Sequence, residues 1–208
     1  METPANTNNN NKAFDPKNIF GTTHNEKNVY ILGIDPGARN FGFAFLNVET
    51  GQIDECGVFE LIEKDQMPDV NKNGEKSDVM HSLAISAAKH TMYRDKYRHI
   101  FSNPRQIVMV AIEDQFVSTP LIQALTHAII FHFTPRVFIC NANAVRAHFK
   151  CTKDTADKSE GVRAATEIMT TTKSEAAGTQ LKNISVKRQQ HAADAILMAR
   201  YFYETHNL

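Results

Sequence analysis

The chain has 208 residues, 42% of them apolar, which suits one domain with a buried core and polar tails. Lysine plus arginine equals aspartate plus glutamate, 23 against 23, so net charge by itself points to neither nucleic acid nor a membrane surface. Cys56, Cys140 and Cys151 are scattered and form no C-x-x-C, which argues against a disulfide scaffold and a structural zinc site.

No apolar run reaches the length of a membrane span, and the longest, 128–133, is broken by His132. The N-terminus has neither a signal-peptide core nor an Arg-rich transit pattern. An intracellular soluble protein is expected, with cytoplasm, nucleus and viral replication site not distinguished. Charge is uneven along the chain. Residues 136–190 hold ten Lys or Arg and five Asp or Glu, an excess that suits a nucleic-acid face or an ordinary solvated surface.

Residues 1–27 are rich in Asn, Thr and Pro and read as a disordered tail, which leaves 28–208 as the folded domain. The apolar run 29–34 reads as a buried strand. Phe41, Phe43 and Phe45 alternate with smaller residues in a second strand over 41–48. A turn at 49–52 leads to a third strand over 53–61, which makes an antiparallel meander. A polar loop follows over 63–76. Ser77 and Asp78 can cap a helix that runs to about Phe101 and buries Leu83, Ala87, Met92, Tyr93 and Tyr97. Asn103-Pro104 stops it.

The continuous apolar run 107–112 has the character of a central parallel strand. Thr119-Pro120 opens a helix over 119–134, with proline in the first turn where no amide donor is missed. That helix is apolar on more than one face, which fits burial on the sheet plus a partner surface, or burial alone. A fifth strand is expected over 136–140, helices over 143–149 and 159–171, a loop-like stretch over 172–185, and a last helix over 188–204. The order βββ-α-β-α-β and further helices predicts an α/β fold. Its mixed five-stranded sheet has three antiparallel strands, then parallel ones, and helices on both faces.

Three acids stand out in that frame. Asp35 ends the first strand at a Pro36-Gly37 turn, and Glu113 ends the fourth. His191 and Asp194 lie three residues apart on one face of the last helix. Alone, each is better read as a turn, a solvated strand exit or an exposed helix pair. Together, with the first and fourth strand ends side by side and the last helix across them, all four side chains are expected to converge. Three carboxylates and an imidazole suit a hard divalent cation, Mg²⁺ or Mn²⁺. Without one, the carboxylates repel and raise one another's pKa. Such a site is suited to phosphodiester displacement.

Gly33-Ile34-Asp35-Pro36-Gly37-x-x-x-x-Gly42, Ile112-Glu113-Asp114-Gln115-Phe116 and His191-Ala192-Ala193-Asp194-Ala195 resemble three motifs of the RuvC-type Holliday-junction resolvases, members of the RNase H-like superfamily. The resemblance runs from about Val29 to Tyr203. It implies a homodimeric, Mg²⁺-dependent endonuclease that cuts opposed strands of a four-way DNA junction symmetrically, in DNA recombination and repair. It implies Asp35, Glu113 and Asp194 as metal ligands, and His191 as a ligand or water-positioning group. Phe116 matches an aromatic near the junction centre, where it can stack on an opened base or sit in the core. Lys158-Ser159-Glu160 resembles the family's Lys-Ser segment, so Lys158 is a candidate for stabilising the charge on the scissile phosphate. A second basic position of the family has two candidates, Arg146 and Lys150, at a spacing that departs from the bacterial pattern. The 1–27 tail and the 63–76 loop also depart from compact bacterial members and suggest a viral or eukaryotic branch.

Three other readings stay open on sequence. One is a nuclease of the same fold acting on other branched DNA or on RNA-containing duplexes. Another is a catalytically inactive junction binder. The last is an actin-like ATP binder, for which the chain is short and carries no second phosphate motif.

Overall fold

The structure is a computed structural model that describes residues 29–64, 78–94, 97–101, 106–115, 119–151 and 159–208. The expected tail over 1–27, nearly all of the 63–76 loop, Phe116 and Lys158 lie outside the described residues. The elements in chain order are β1 (Val29–Asp35), β2 (Phe41–Asn47), β3 (Ile53–Phe59), α1 (Asp78–Met92), α2 (Arg98–Phe101), β4 (Gln106–Glu113), α3 (Pro120–Phe133), β5 (Val137–Cys140), α4 (Ala142–His148), α5 (Ser159–Thr171), α6 (Glu175–Asn183) and α7 (Val186–Thr205).

The sheet has five strands in the order β3-β2-β1-β4-β5. β1 pairs antiparallel with β2 and parallel with β4, and β4 pairs parallel with β5. This is the expected RNase H-like α/β fold with a mixed sheet. The register puts Ile34 beside Ile112, so Asp35 and Glu113 leave the sheet at adjacent strand ends.

Side chains alternate between the two faces of the sheet. Tyr30, Leu32 and Ile34 enter one core with Phe41, Phe43, Leu121, Leu125 and Ile129. Ile31 enters the other, with Ala44, Ala111 and the alanines of α7. Period two then aims Asp35 and Glu113 at the α7 face. α7 lies unusually close to the sheet there. A Cβ on Gly33 would overlap the carbonyl oxygen of Ala195, and one on Gly42 would overlap that of His191. Ala192, Ala193, Ala195 and Ala199 complete the contact and are fully buried. Small residues on both sides let backbone meet backbone, and this approach carries His191 and Asp194 to the acids.

Two expectations need correction. The helix after the polar loop does not run to Phe101. It ends at Met92, where the Tyr93 amide is shared between the carbonyls of Lys89 and His90 and Arg94 bonds back to Thr91. The turn swings Tyr97 onto Phe59, with ring centroids 4.1 Å apart, and leaves Tyr93 exposed instead of buried. The stretch 172–185 is not a loop but holds α6. Its apolar signal is thin, since only Ala177 and Leu181 are buried. Tertiary hydrogen bonds supply what the periodicity lacks. Edge-strand amides of Ile53 and Cys56 donate to Ser174 Oγ (2.8 Å) and Gln180 Oε1 (2.9 Å). α6 thus covers an edge that would otherwise offer unpaired amides.

A candidate metal centre at the strand ends

Asp35 is 6% exposed, shut in by Gly42 across the strand and by α7 above it. His191 Nδ1 stands 2.6 Å from Asp35 Oδ2. A carboxylate oxygen only accepts, so Nδ1 carries the hydrogen. Gln190 Nε2 lies 3.2 Å from His191 Nε2, and that nitrogen is then the acceptor. One helix therefore fixes both the ring and its tautomer.

Glu113 meets Asp35 directly through a side-chain hydrogen bond. Its carboxyl is pushed up to about 8, first by burial, then by the charge of Asp35 and the shared hydrogen bond. Arg146 and Gln115 pull the other way, and Gln115 Nε2 donates to Glu113 Oε2 at 2.8 Å. Cys140 is Glu113's register partner on β5, and its buried thiol is pushed up to about 12 by desolvation and by Glu113. The thiol therefore stays neutral and adds no charge behind the acids.

Asp194 lies on the other side of His191. Its Oδ1 is 4.0 Å from Arg146 Nη2, and a Cβ on Gly161 of α5 would touch it at 3.6 Å. Thus Asp35, Glu113 and His191 form one contact group, and Asp194 pairs with Arg146 beside it. Among the described residues, no three His, Cys, Asp or Glu side chains are spaced to hold a cation as they stand. All four side chains are expected to converge; in the structure Asp35, Glu113 and His191 are in contact, and Asp194 faces Arg146 instead. Glu113 already touches Asp35, so an oxygen-rich set would need Asp194 to turn from Arg146 toward them.

The donor chemistry fits Mg²⁺ or Mn²⁺. A buried carboxylate and a half-buried one in contact favour a shared proton or a neutralising cation, and the partly open group has only hard oxygen and imidazole donors. Asp35, Glu113 and Asp194 would hold it, with His191 beside them.

Of the two basic candidates, Arg146 is at the site. Lys150 is exposed just past α4, in the left-handed region at φ 55°. Sequence reasoning missed Gln115, which sits two residues past Glu113 and is visible only as part of the motif. It also missed Gly33 and Gly42 as spacers for α7. Small residues recurring in both β1–β2 and α7 were the signal for those.

The sequence matches no protein-family model and no curated protein. Solved structures do match. The yeast mitochondrial Holliday junction resolvase Ydc2 superposes with a TM-score of 0.56 at 16% identity, covering 89% of this chain and 82% of that one. Thermus thermophilus RuvC superposes with a TM-score of 0.50 at 16% identity, covering 86% and 96%. The sheet order, the crossing helix and these superpositions agree: the chain has the fold of the RuvC-type Holliday-junction resolvases.

Proposed function

We propose that this protein is a metal-dependent, structure-selective endonuclease. It resolves four-way DNA junctions by paired, symmetric phosphodiester cleavage and works as a homodimer. The observation that carries the reading is the buried contact of Asp35 with Glu113 under His191. A folding domain gains nothing from two acids held together at the end of its central strands. A site that must receive a cation and a phosphate does. The likeness to a protein named as a Holliday junction resolvase supports junction DNA as the substrate.

The residues divide the work by position. Asp35, ionised and locked by His191, is the fixed ligand. Glu113 would hold the cation as a carboxylate, with Gln115 donating to its Oε2. Asp194 would be a further ligand, and Arg146, held near it at 4.0 Å, is the guanidinium placed to face the phosphate. His191 Nε2, the ring nitrogen without a hydrogen, accepts from Gln190 as it stands, and would orient the attacking water once that amide turns aside. A bound Mg²⁺ supplies Lewis acidity and lowers the pKa of that water. Lys158, just before α5, is proposed to contact the scissile phosphate, with Lys150 and Phe116 as further DNA contacts.

The test is cleavage of a synthetic mobile four-way junction in Mg²⁺ with end-mapping of the products. The wild type should give symmetric ligatable nicks. Asp35→Asn should lose cleavage by about a thousandfold or more while binding the junction as before. An Asp35→Asn protein that cuts like the wild type would remove Asp35 from the site. A rate strongly favouring RNA/DNA hybrid over the junction would replace the resolvase reading with the hybrid-nuclease one.

A further inference from the structure

A second charged group stands next to the acids and takes no part in the chemistry above. Arg39 lies four residues past Asp35 in the β1–β2 turn, and its Nη2 reaches Glu60 Oε1 at 2.8 Å. Arg188 lies in the first turn of α7, three residues before His191 and on the same stripe of the helix. Its Nη2 is 3.5 Å from the carbonyl oxygen of Arg39. Two guanidiniums therefore share one carboxylate, and both influence it, holding Glu60 below the usual carboxylate range. The group keeps a net positive charge at any working pH, since arginine does not deprotonate.

A structural ion pair explains only half of this. Glu60 needs one arginine, and Arg39 meets it through a single nitrogen. Arg188 has only a long contact to a carbonyl. The Nε atoms of both arginines are buried and have no hydrogen-bond partner. Buried donors without acceptors are costly, and two of them on facing arginines call for an acceptor that arrives with a ligand. A phosphate meets that need: it reaches the two guanidiniums first through their Nη atoms, and takes the enclosed Nε atoms when the side chains turn to face it.

We infer that Arg39 and Arg188 form a second phosphate site, one helical turn from His191, that grips a backbone phosphate flanking the one cut. The inference rests on the endonuclease reading and adds to it the residues that set the register of the strand. A turn of helix is about 5.4 Å and successive phosphates of one strand advance about 3.4 Å along the duplex axis, so the two positions are one to two phosphates apart. Glu60 keeps Arg39 in place without saturating it. Arg188 rides on the helix that carries His191 and Asp194, so a phosphate held there is fixed relative to the acids.

The experiment measures binding of a labelled four-way junction in chelator across a range of KCl, for the wild type, Arg39→Gln, Arg188→Gln and Lys173→Gln. Lys173 lies past the far end of α5, on exposed surface, and controls for loss of one positive charge. Each arginine variant should lower the slope of log affinity against log salt by about 0.7 to 0.9, the value for one phosphate contact. Binding at 0.1 M salt should weaken about tenfold, and Lys173→Gln should keep the wild-type slope. Arg188→Gln decides the matter if Arg39→Gln fails to fold, because Glu60 keeps its shorter partner there. If the wild type binds and cuts while the folded arginine variants keep its slope and affinity, the phosphate site is overturned alone. If the wild type neither binds nor cuts, the endonuclease reading falls and this site with it.

Discussion

Desolvation first, and the charge of Asp35 second, disfavour the ionised form of Glu113. Its carboxyl stays protonated in the folded chain up to about 8, against 4.5 ordinarily. The folded state therefore binds the proton more tightly than the unfolded one. That contribution to stability is complete below about 4.5 and is lost as pH rises through about 8. Chelated wild type should accordingly weaken between pH 5 and pH 8, by denaturant titration, after the slope shared with Glu113→Gln is subtracted. Glu113→Gln cannot ionise, so it should gain on the wild type as pH rises. Mg²⁺ should reverse the order, since a cation binds the deprotonated acid and stabilises only the state that holds it. The Mg²⁺-induced rise in Tm should be largest near pH 8 and small in both Glu113→Gln and Asp35→Asn.

The crossing of α7 over β1 and β2 is where packing creates the site. Gly33 and Gly42 face the carbonyls of Ala195 and His191, and backbone atoms cannot step aside as a flexible side chain can. Gly42→Ala should push α7 off the sheet at His191 and cost about 3 kcal/mol in denaturant stability, the upper end for overpacking a core. It should also lower cleavage, because His191 would leave Asp35; a Gly42→Ala variant with wild-type stability and rate would show that the contact is loose. α6 teaches the complementary lesson. Its stability comes from the edge strand it covers, so Ser174→Ala strands the buried amide of Ile53. That should cost about 1–3 kcal/mol and speed hydrogen exchange at Ile53 and along α6. Neither effect is legible from helix propensity, which is why 172–185 reads as a loop in the sequence.

The proposed homodimer needs a surface, and α3 supplies one. Leu121, Leu125 and Ile129 are buried on the sheet, whereas Phe131 is 82% exposed and Tyr93 nearby is 62% exposed. Tyr93 packs edge-on against His132, the neighbour of Phe131 on α3. Phe131→Glu should convert the dimer to monomer by sedimentation with little change in Tm, because the residue supports no core of its own chain. A four-way junction has two opposed strands to cut, so the monomer should nick one strand and lose paired cleavage. Among the described residues, no helix is long and apolar enough to cross a membrane.

The strands, their alternation and the three motif acids were legible in the chain alone, because apolar periodicity and turn residues act over a few neighbours. The D-P-G turn, the second acid and the H-x-x-D pair stand out at that range, and so does the sheet order they require. Tertiary contacts settled the rest. They ended α1 at Met92, so that Tyr97 could stack on Phe59. They made α6 a helix through hydrogen bonds to a strand more than a hundred residues earlier. They paired Asp194 with Arg146 and set Arg39 beside Arg188, 149 residues apart in the chain. Contacts of that kind leave no periodic trace. They depend on how closely α7 can approach the sheet, and two glycines and four alanines set that distance only once the fold has formed.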